Sequence, residues 1–503
     1  MSGFLFRLWS GVDKPLAPVG EEAGASGVAG GADRHAYPLP KGMSLSQWLQ
    51  NVRANPLLDH RSTETVPGTA DVVIIGSGMS GAVTALKLFE GANPPRSIVM
   101  LEARELCSGA TGRNAGHCKP DQWRGYSSYA KKFGSEQALK ILDNEQATWE
   151  AVVAYVREHD IDCDLWVGKT ASSFCTRLAL DVTTTDDVAA KSAATFEAFK
   201  TAGGNIDKIE VISDKAEAVK RSRIKNAVSV YAWDAATFYP WKVVAHIIKT
   251  CLARGLNLQT WTPAESVEPS TDPRKAGQWV VKTKRGSITT PTVVHATNAY
   301  APALLPDFAP AILPRPHMCN RAVPPRALSG SKALQNSYGV LLPNGAIFSI
   351  NPRSTADGVI LFGGDNPGYK DLYKYVAADP TRRTDDSLSN FEPVTAEVRS
   401  FAENNFEGWC VEPRTFAPGE GYDYAWSGIL GNTADGLPYV GAVPGKPGQW
   451  MCAGHNGHGM ARIFTCAPGL VKLIQGGSWD DTGLPEVFEL TPERLEKAAA
   501  KAA

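Results

Sequence analysis

Four residues stand where type and spacing could do chemistry: Gly76, Gly78 and Gly81, with Glu102 following Gly76 by 26 positions. In the run GSGMSG, Gly76 permits a tight turn, Gly78 lets backbone approach a pyrophosphate, and Gly81 lets a helix pack closely on a strand. The peptide groups of Met79 and Ser80 then open a helix, whose N-terminal N–H groups and partial positive charge favour phosphate oxygens. A carboxylate at Glu102 is placed for the hydroxyls of a ribose. The elements that must hold these groups are legible on either side. Residues 71–75 (DVVII) form an apolar, β-branched run, read as a buried parallel strand. Ala82, Ala85, Leu86, Leu88 and Phe89 give the following helix its apolar face, and residues 98–101 (IVML) form a second strand ending at Glu102. Strand, glycines, helix, strand and acid in that order predict a dinucleotide-binding unit.

The segment after Glu102 reads ARELCSGATGRNAGHC and is dense in small and hydrogen-bonding residues. Running on from a ribose, it would follow a ligand towards its far end through Ala103, Arg104, Gly109, Ala110, Thr111, Gly116 and His117. Arg113 and Asn114, beside three glycines, read as ligand contacts rather than ordinary loop residues.

A chain of 503 residues with 43% hydrophobic content exceeds one ordinary domain and can bury a large core. A net charge of −1 and a pI near 6.8 argue against nucleic acid or an anionic membrane as partner. No apolar run approaches the ~20 residues of a membrane helix. Nine cysteines without CxxC pairs suggest a reduced protein rather than a disulfide scaffold or zinc module. His455 and His458 lie three apart in a glycine-rich context without HExxH, so no metal site is expected. Residues 1–44 read as a flexible arm, Gly/Ala/Pro-rich over 20–32, with no signal-peptide pattern. The KAAAKAA end is not a peroxisomal address, which leaves a cytoplasmic location as the expectation.

Residues 45–58 suggest a short amphipathic helix. Residues 121–160 read as helical, with Ile141, Leu142, Ala147, Trp149, Val152, Val153 and Val156 near 3.6-residue spacing. Trp149 and Trp166 are expected in a core. A second helix over 183–200 stops at Gly203-Gly204, and a third begins at Pro240 and ends at Gly255. The aromatics Trp233, Phe238, Tyr239 and Trp241 read as core. Residues 279–296 give a hairpin turning at Arg285-Gly286 and a strand leading into Ala296. Residues 310–420 read as β-rich, with turns at Asn344-Gly345 and Asp357-Gly358 and a helix over 391–406.

Later stretches repeat the glycine theme: WSGILGNTADGLPYVG from Trp426, and MCAGHNGHGMARIFTCAPGLVKLI, read as strand, glycine-rich turn and helix. With GSGMSG, the LEARELCSGATGRNAGH segment and the ATNAY turn, they make the chain resemble the FAD-dependent D-amino-acid oxidase superfamily. The resemblance covers roughly residues 67–480, in the branch of glycine/sarcosine oxidases and γ-glutamylputrescine oxidoreductases, including its fungal members. It implies an α/β fold: a glutathione-reductase-type Rossmann FAD-binding domain with a parallel sheet, and an α+β substrate-binding domain on a mostly antiparallel sheet. The expected division is residues 67–125, 238–305 and 425–480 for FAD, 126–237 and 306–424 for substrate, and a tail from 481 to 503.

By the same resemblance, Val267 lies against adenine and Thr297 and Asn298 pack on FAD. Gly428, Gly431 and Asp435 form the turn by the flavin's pyrimidine side. Gly454, Asn456, Gly457, His458, Gly459 and Met460 close over the N1/O2 region, where a helix N-terminus would stabilise negative charge on reduced flavin. Some relatives hold FAD covalently; the corresponding positions here are Ile429 and Arg113, so FAD is expected to be non-covalent. His117 and His455 are the polar groups expected near the isoalloxazine, as candidate catalytic residues. Arg353 and Arg321 are candidates to grip a substrate carboxylate, and Trp426 to line the substrate side. The implied activity is oxidation of a C–N bond of an amine or amino acid by hydride transfer to flavin N5, giving an imine, with O2 as acceptor. The alternatives are flavin-dependent tailoring by dehydrogenation or oxidative cyclisation, and a non-catalytic flavoprotein acting in assembly.

Overall fold

The computed structural model describes residues 37–168, 177–409 and 423–502. Two large sheets organise them. The first has six strands in the order Tyr439–Ala442, Gln449–Ala453, Thr292–His295, Val72–Ile75, Ile98–Leu101 and Asn257–Gln259. All neighbours are parallel except Tyr439–Ala442, which runs antiparallel to Gln449–Ala453. The central strand Val72–Ile75 is buried on both faces, as its unbroken apolar run requires. The glycine turn leads straight into the helix Met79–Glu90, and a three-stranded meander (Ser266–Pro269, Trp279–Thr283, Gly286–Thr290) precedes Thr292–His295. This is a Rossmann-type arrangement assembled from three sequence-distant pieces.

The second sheet has eight strands: Asp423–Thr433, Ile312–Ala322, Ile360–Gly364, Ile347–Pro352, Ser337–Leu341, Ala179–Thr183, Ser229–Trp233 and Glu210–Ile212. Its pairings are antiparallel except Ser337–Leu341 with Ala179–Thr183. The expected turns at Asn344-Gly345 and Asp357-Gly358 join adjacent strands, and Gly345 and Gly358 adopt φ +81° and +75°. Helices Ser135–Glu158 and Ile463–Ile474 pack together between the sheets, contributing Trp149, Val152 and Leu470 to the largest core cluster.

Several local expectations change. The helical stretch 121–160 is two helices, Tyr126–Phe133 and Ser135–Glu158, broken where Gly134 takes φ +86°. Ala147 is exposed and Thr148 takes the inward place; Trp149 and Trp166 are buried as expected. The second helix starts at Asp186, because Thr183 completes a strand and Thr185 caps the helix by accepting from Val188 N. Residues 45–58 contain only the single turn Gln47–Gln50 and the 3-10 turn Pro56–Asp59, although Trp48 and Leu49 are fully buried. The C-terminal tail carries a helix, Pro492–Ala502. The seven described cysteines are free and buried; Cys175 and Cys410 lie outside the described residues.

Residues 37–44 do not extend away as an arm. Tyr37 Oη donates to Glu265 O (3.0 Å) and Arg104 Nη1 to Leu39 O (3.4 Å). Ser44 N and Oγ both donate to Asp386 O, at 2.8 and 2.9 Å. The segment is a strap tied to the loops that carry Arg104, Glu265 and Asp386. Residues 1–36 of the expected arm lie outside the described residues.

Candidate functional site

At the carboxyl ends of the parallel strands lies a long cleft. One side is the glycine turn, where the helix Met79–Glu90 starts at Gly78 with no side-chain cap. A Cβ on Gly81 would lie 2.0 Å from Gly76 O, so only glycine permits this approach of helix to strand. Glu102 is fixed before any ligand binds. Its Oε2 accepts from Ser77 N (3.0 Å) and Ser77 Oγ (2.7 Å), and its Oε1 from Arg104 N (3.0 Å). Thr111 Oγ1 accepts from Met79 N at 3.1 Å, tying the loop after the acid to the helix start.

From the other end comes the late glycine turn. Asn298 Oδ1 accepts from Gly454 N (3.0 Å) and His455 N (3.1 Å), which joins the ATNAY turn to it. Asn456 and Gly457 follow with positive φ, and a short 3-10 turn leads into the helix Ile463–Ile474. Two glycine-rich turns far apart in sequence therefore face one cleft.

The cleft is lined by Gly76, Gly78, Met79, Ser80, Glu102, Ala103, Arg104, Gly109, Ala110, Thr111, Asn114, Thr297, Asn298, His455, Gly457, Gly459 and Met460, seventeen positions singled out from sequence. A second cavity of about 520 Å³ lies beyond it, walled by the eight-stranded sheet, and takes in Arg113, His117, Gly428, Asn456 and His458. Ala110, Asn114, Ile429, Leu430, Gly457 and Met460 line both spaces and form a collar where they meet.

Some expected residues do not reach either space. Arg353 is engaged by Asp357 and Asp164, each at 2.9 Å, its guanidinium lies 4.9 Å from the Trp48 ring, and it lines neither space. Trp426 is fully buried and donates from Nε1 to Arg113 O at 2.7 Å. Arg321, on the strand Ile312–Ala322, lines neither space. Val267 pairs in the outer meander; Pro263 and Ala264 line the cleft in its place. Asp435 is held by Arg494 (2.9 Å), and Gly431 packs against the Ala299 backbone. Gly116, Gly81 and Gly454 act through close packing, not through exposure to the cleft.

Other residues escaped the sequence reading. Tyr37 and Pro38 of the strap, Ser77 and Tyr300 line the cleft or its acid. Lys119, Asp121, Arg124, His317, Asp365 and Arg462 line the second cavity. The charge run directly after His117 was the available signal for the first three. His317 and Cys319 alternate on one strand, but nothing local shows which way that strand faces.

Burial shapes the electrostatics. His117 is pushed down to about 3 by burial and then by Lys119, and its Nε2 has no hydrogen-bond partner. His455 is pushed down to about 3 by burial and then by Arg462, with Nε2 3.3 Å from Ser80 Oγ and Nδ1 unpartnered. His317 falls to about 4 through burial and Arg315, its ring stacked on Tyr369 at 4.6 Å. All three are neutral near pH 7. Asp121, Glu145 and His458 bring ligand atoms within 4.8 Å of one another. They are joined in a chain of contacts: His458 is hydrogen-bonded to Glu145 (3.0 Å), Arg462 is ion-paired with Glu145 (3.0 Å) and Arg124 with Asp121.

The residues present fit a flavin dinucleotide. An uncapped helix start and a pre-oriented carboxylate stand at one end of the cleft; buried, unpartnered Thr297 Oγ1 and His455 Nδ1 lie on its wall. A sequence model of FAD dependent oxidoreductases matches residues 71–473. A probable oxidoreductase OrdL of Rhizobium meliloti is 23% identical over 422 residues, covering 82% of this chain and 85% of that protein. A gamma-glutamylputrescine oxidoreductase of Escherichia coli is 23% identical over 419 residues, covering 81% and 84%. Among solved structures, glycine oxidase from Geobacillus kaustophilus superposes with a TM-score of 0.61 at 20% identity, covering 85% of this chain and 99% of its own.

Proposed function

The chain belongs to the FAD dependent oxidoreductases, and on that premise we propose that it oxidises a C–N bond of a small amine or amino acid to an imine. The observation carrying this reading is the collar: a cleft fitted to a dinucleotide meets, through six shared residues, a second cavity able to hold a small molecule. When bound, FAD supplies the acceptor for the hydride leaving the carbon next to nitrogen, and O2 restores it.

The protein's part is to place that carbon at the collar, exclude water and keep the nitrogen lone pair free. Removing an ammonium group from water favours its neutral form, so the cavity itself assists loss of that proton. His117 belongs to the cavity lining, its Nε2 is buried without a hydrogen-bond partner, and the ring stays neutral well below pH 7. We assign it the role of accepting a hydrogen bond from the substrate N–H, orienting the amine without taking its proton. His455 faces the cofactor side and is assigned to the flavin rather than the substrate. Non-covalent attachment accords with Ile429 and Arg113: the first offers no nucleophile, and the second is engaged by Ser108 O (2.6 Å) and Ser427 O (2.8 Å).

The test is anaerobic mixing of the FAD-loaded protein with a panel of amines and amino acids while the flavin's visible absorbance is followed. Bleaching by at least one, with peroxide formed on readmitting air, is the expected result. A flavin reduced by dithionite but by no C–N donor would overturn the reading.

A further inference from the structure

The loop that supplies the collar's early residues is held by its carbonyls. Four successive ones are each taken by a donor from a different element. Trp426 Nε1 donates to Arg113 O (2.7 Å), and Trp48 Nε1 to Asn114 O (2.6 Å). Asn351 Nδ2 donates to Ala115 O (2.8 Å), and Phe238 N to Gly116 O (3.0 Å). His117 then enters a short strand opposite Thr237. The side chains of Trp48, Asn351 and Trp426 are buried, so these polar hydrogens are directed to the loop and not to water.

The packing around the donors is close. Gly116 has φ +84°, and a Cβ there would lie 2.9 Å from Phe238 O, 3.0 Å from Trp48 Cζ2 and 3.2 Å from Asn351 Nδ2. A Cβ on Gly363 would lie 3.1 Å from Ala115 Cβ and 3.6 Å from Cys319 Sγ. Ala115 therefore packs on the cavity floor, where Gly339, Ser349 and Gly363 pair across three neighbouring strands. Asn114 is also tied within the loop: its Oδ1 accepts from Gly116 N (2.8 Å) and its Nδ2 donates to Thr111 O (3.1 Å). The backbone is thus fixed from 113 to 117, between the cofactor cleft and the second cavity.

Trp48 differs from the other donors in origin, because it precedes the residues 71–473 that match the family. Its turn, Gln47–Gln50, is anchored on its own account. Gln47 Nε2 donates to Asp357 Oδ2 (2.9 Å), Tyr239 Oη donates to Trp48 O, and the Tyr239 and Trp48 rings lie 4.7 Å apart. We infer that Trp48 and Asn351 are positioning residues for the oxidation: by holding Asn114 O and Ala115 O they set the spacing between what occupies the cleft and what occupies the cavity. The inference rests on the preceding reading for the reaction, and it brings a segment from outside the family's shared stretch to bear on it. Removing either donor strands a carbonyl; the peptide turns to recover a partner, and the collar moves with it. A displacement of about 1 Å near reacting atoms costs on the order of 100-fold in rate.

Two variants test this, with a third as control. Trp48→Phe removes one donor and keeps an aromatic ring. Asn351→Leu removes the other at similar volume; Asn351 Oδ1 is buried without a partner, so only the Nδ2 bond is given up. Trp279→Phe deletes the same kind of indole donor, here to Pro447 O (2.8 Å), from a residue that lines neither space. The quantities read are FAD affinity of the apoprotein, the maximal rate of anaerobic bleaching by an amine, and sulfite affinity of the FAD-loaded protein. Sulfite adds to flavin N5 without any amine being oxidised. Both variants are expected to bleach about 10–100-fold more slowly at saturating amine, with sulfite affinity shifted several-fold and FAD affinity close to that of wild type. Trp279→Phe should change none of the three. Wild-type rates in both variants, equal slowing in Trp279→Phe, or FAD affinity falling by the same factor as the rate overturns the inference. Where Trp48→Phe fails to fold, Asn351→Leu decides by the same criteria. If no amine bleaches the wild-type flavin while both variants still shift sulfite affinity, the oxidation reading fails alone and the positioning of the collar stands.

Discussion

At Glu102 three hydrogen bonds are already made from Ser77 N, Ser77 Oγ and Arg104 N. Bonds to a charged acceptor contribute about 1.5–3 kcal/mol each, so the carboxylate is held in place rather than recruited by the ligand. Glu102→Gln should weaken FAD binding about 10–100-fold, and Ser77→Ala by a smaller factor in the same direction. Titration of apoprotein with FAD measures this; unchanged affinity in Glu102→Gln would remove the acid from the ribose. For His117, a pKa near 3 means that kcat/KM should not fall at pH 6 because of this residue. The acid limb should instead follow the substrate's own ammonium pKa and move when a less basic amine is used. A limb fixed near pH 6.5 for every substrate would make a histidine the proton acceptor and refute the role given to it. Such roles were half-legible in sequence: His117 and Glu102 sit in dense local motifs, while Arg353 looked free only because Asp164, 189 positions away, cannot be seen to meet it.

Among the elements, what could be read beforehand is what short-range pattern controls. The buried strand Val72–Ile75, the glycine turn and the helix Met79–Glu90 follow one another without a break, so composition and order suffice. The cavity floor is different in kind. Its row Gly339–Ser349–Gly363 exists only through strand register, and a slip of one residue would turn those positions to the other face. The strap was missed for a related reason: residues 37–44 have no periodicity, and their order comes from partners such as Asp386 and Ser427. Tyr37 and Pro38 line the cofactor cleft, so the strap should slow release of FAD. Ser44→Ala removes a hydroxyl that donates to Asp386 O and accepts from Ser427 N (3.1 Å), a loss of about 1 kcal/mol or more at a buried site. Ser44→Ala and Tyr37→Ala are each expected to release FAD several-fold faster, seen as quicker recovery of flavin fluorescence on dilution. Release at the wild-type rate in both would make the strap a mere edge of the fold.

For the molecule as a whole, the seam between early and late segments is held by groups that acid disrupts. His295 is fully buried in the parallel sheet, with Nε2 2.8 Å from Gln449 Oε1, and burial pushes it down to about 4. His455, 4% exposed, joins the late turn to Ser80 of the first helix. Both have native pKa values below the ordinary 6.5, so the unfolded chain binds the extra protons. Their neutral burial therefore costs no stability above pH 6.5, and stability falls as pH drops from there towards 4. At about 1.4 kcal/mol per pH unit for each group, the two remove on the order of 5 kcal/mol between pH 6.5 and about 4.5. The buried His117 and His317 add to the same slope, so Tm should decline steeply across that window, and His295→Asn, which keeps a polar partner for Gln449, should flatten the slope by about a quarter. The apoprotein is the form to measure, because bound FAD adds its own pH-dependent stabilisation through mass action. A Tm level from pH 7 to pH 5 would mean that these imidazoles gain protons inside the fold, and that the seam is looser than its packing indicates.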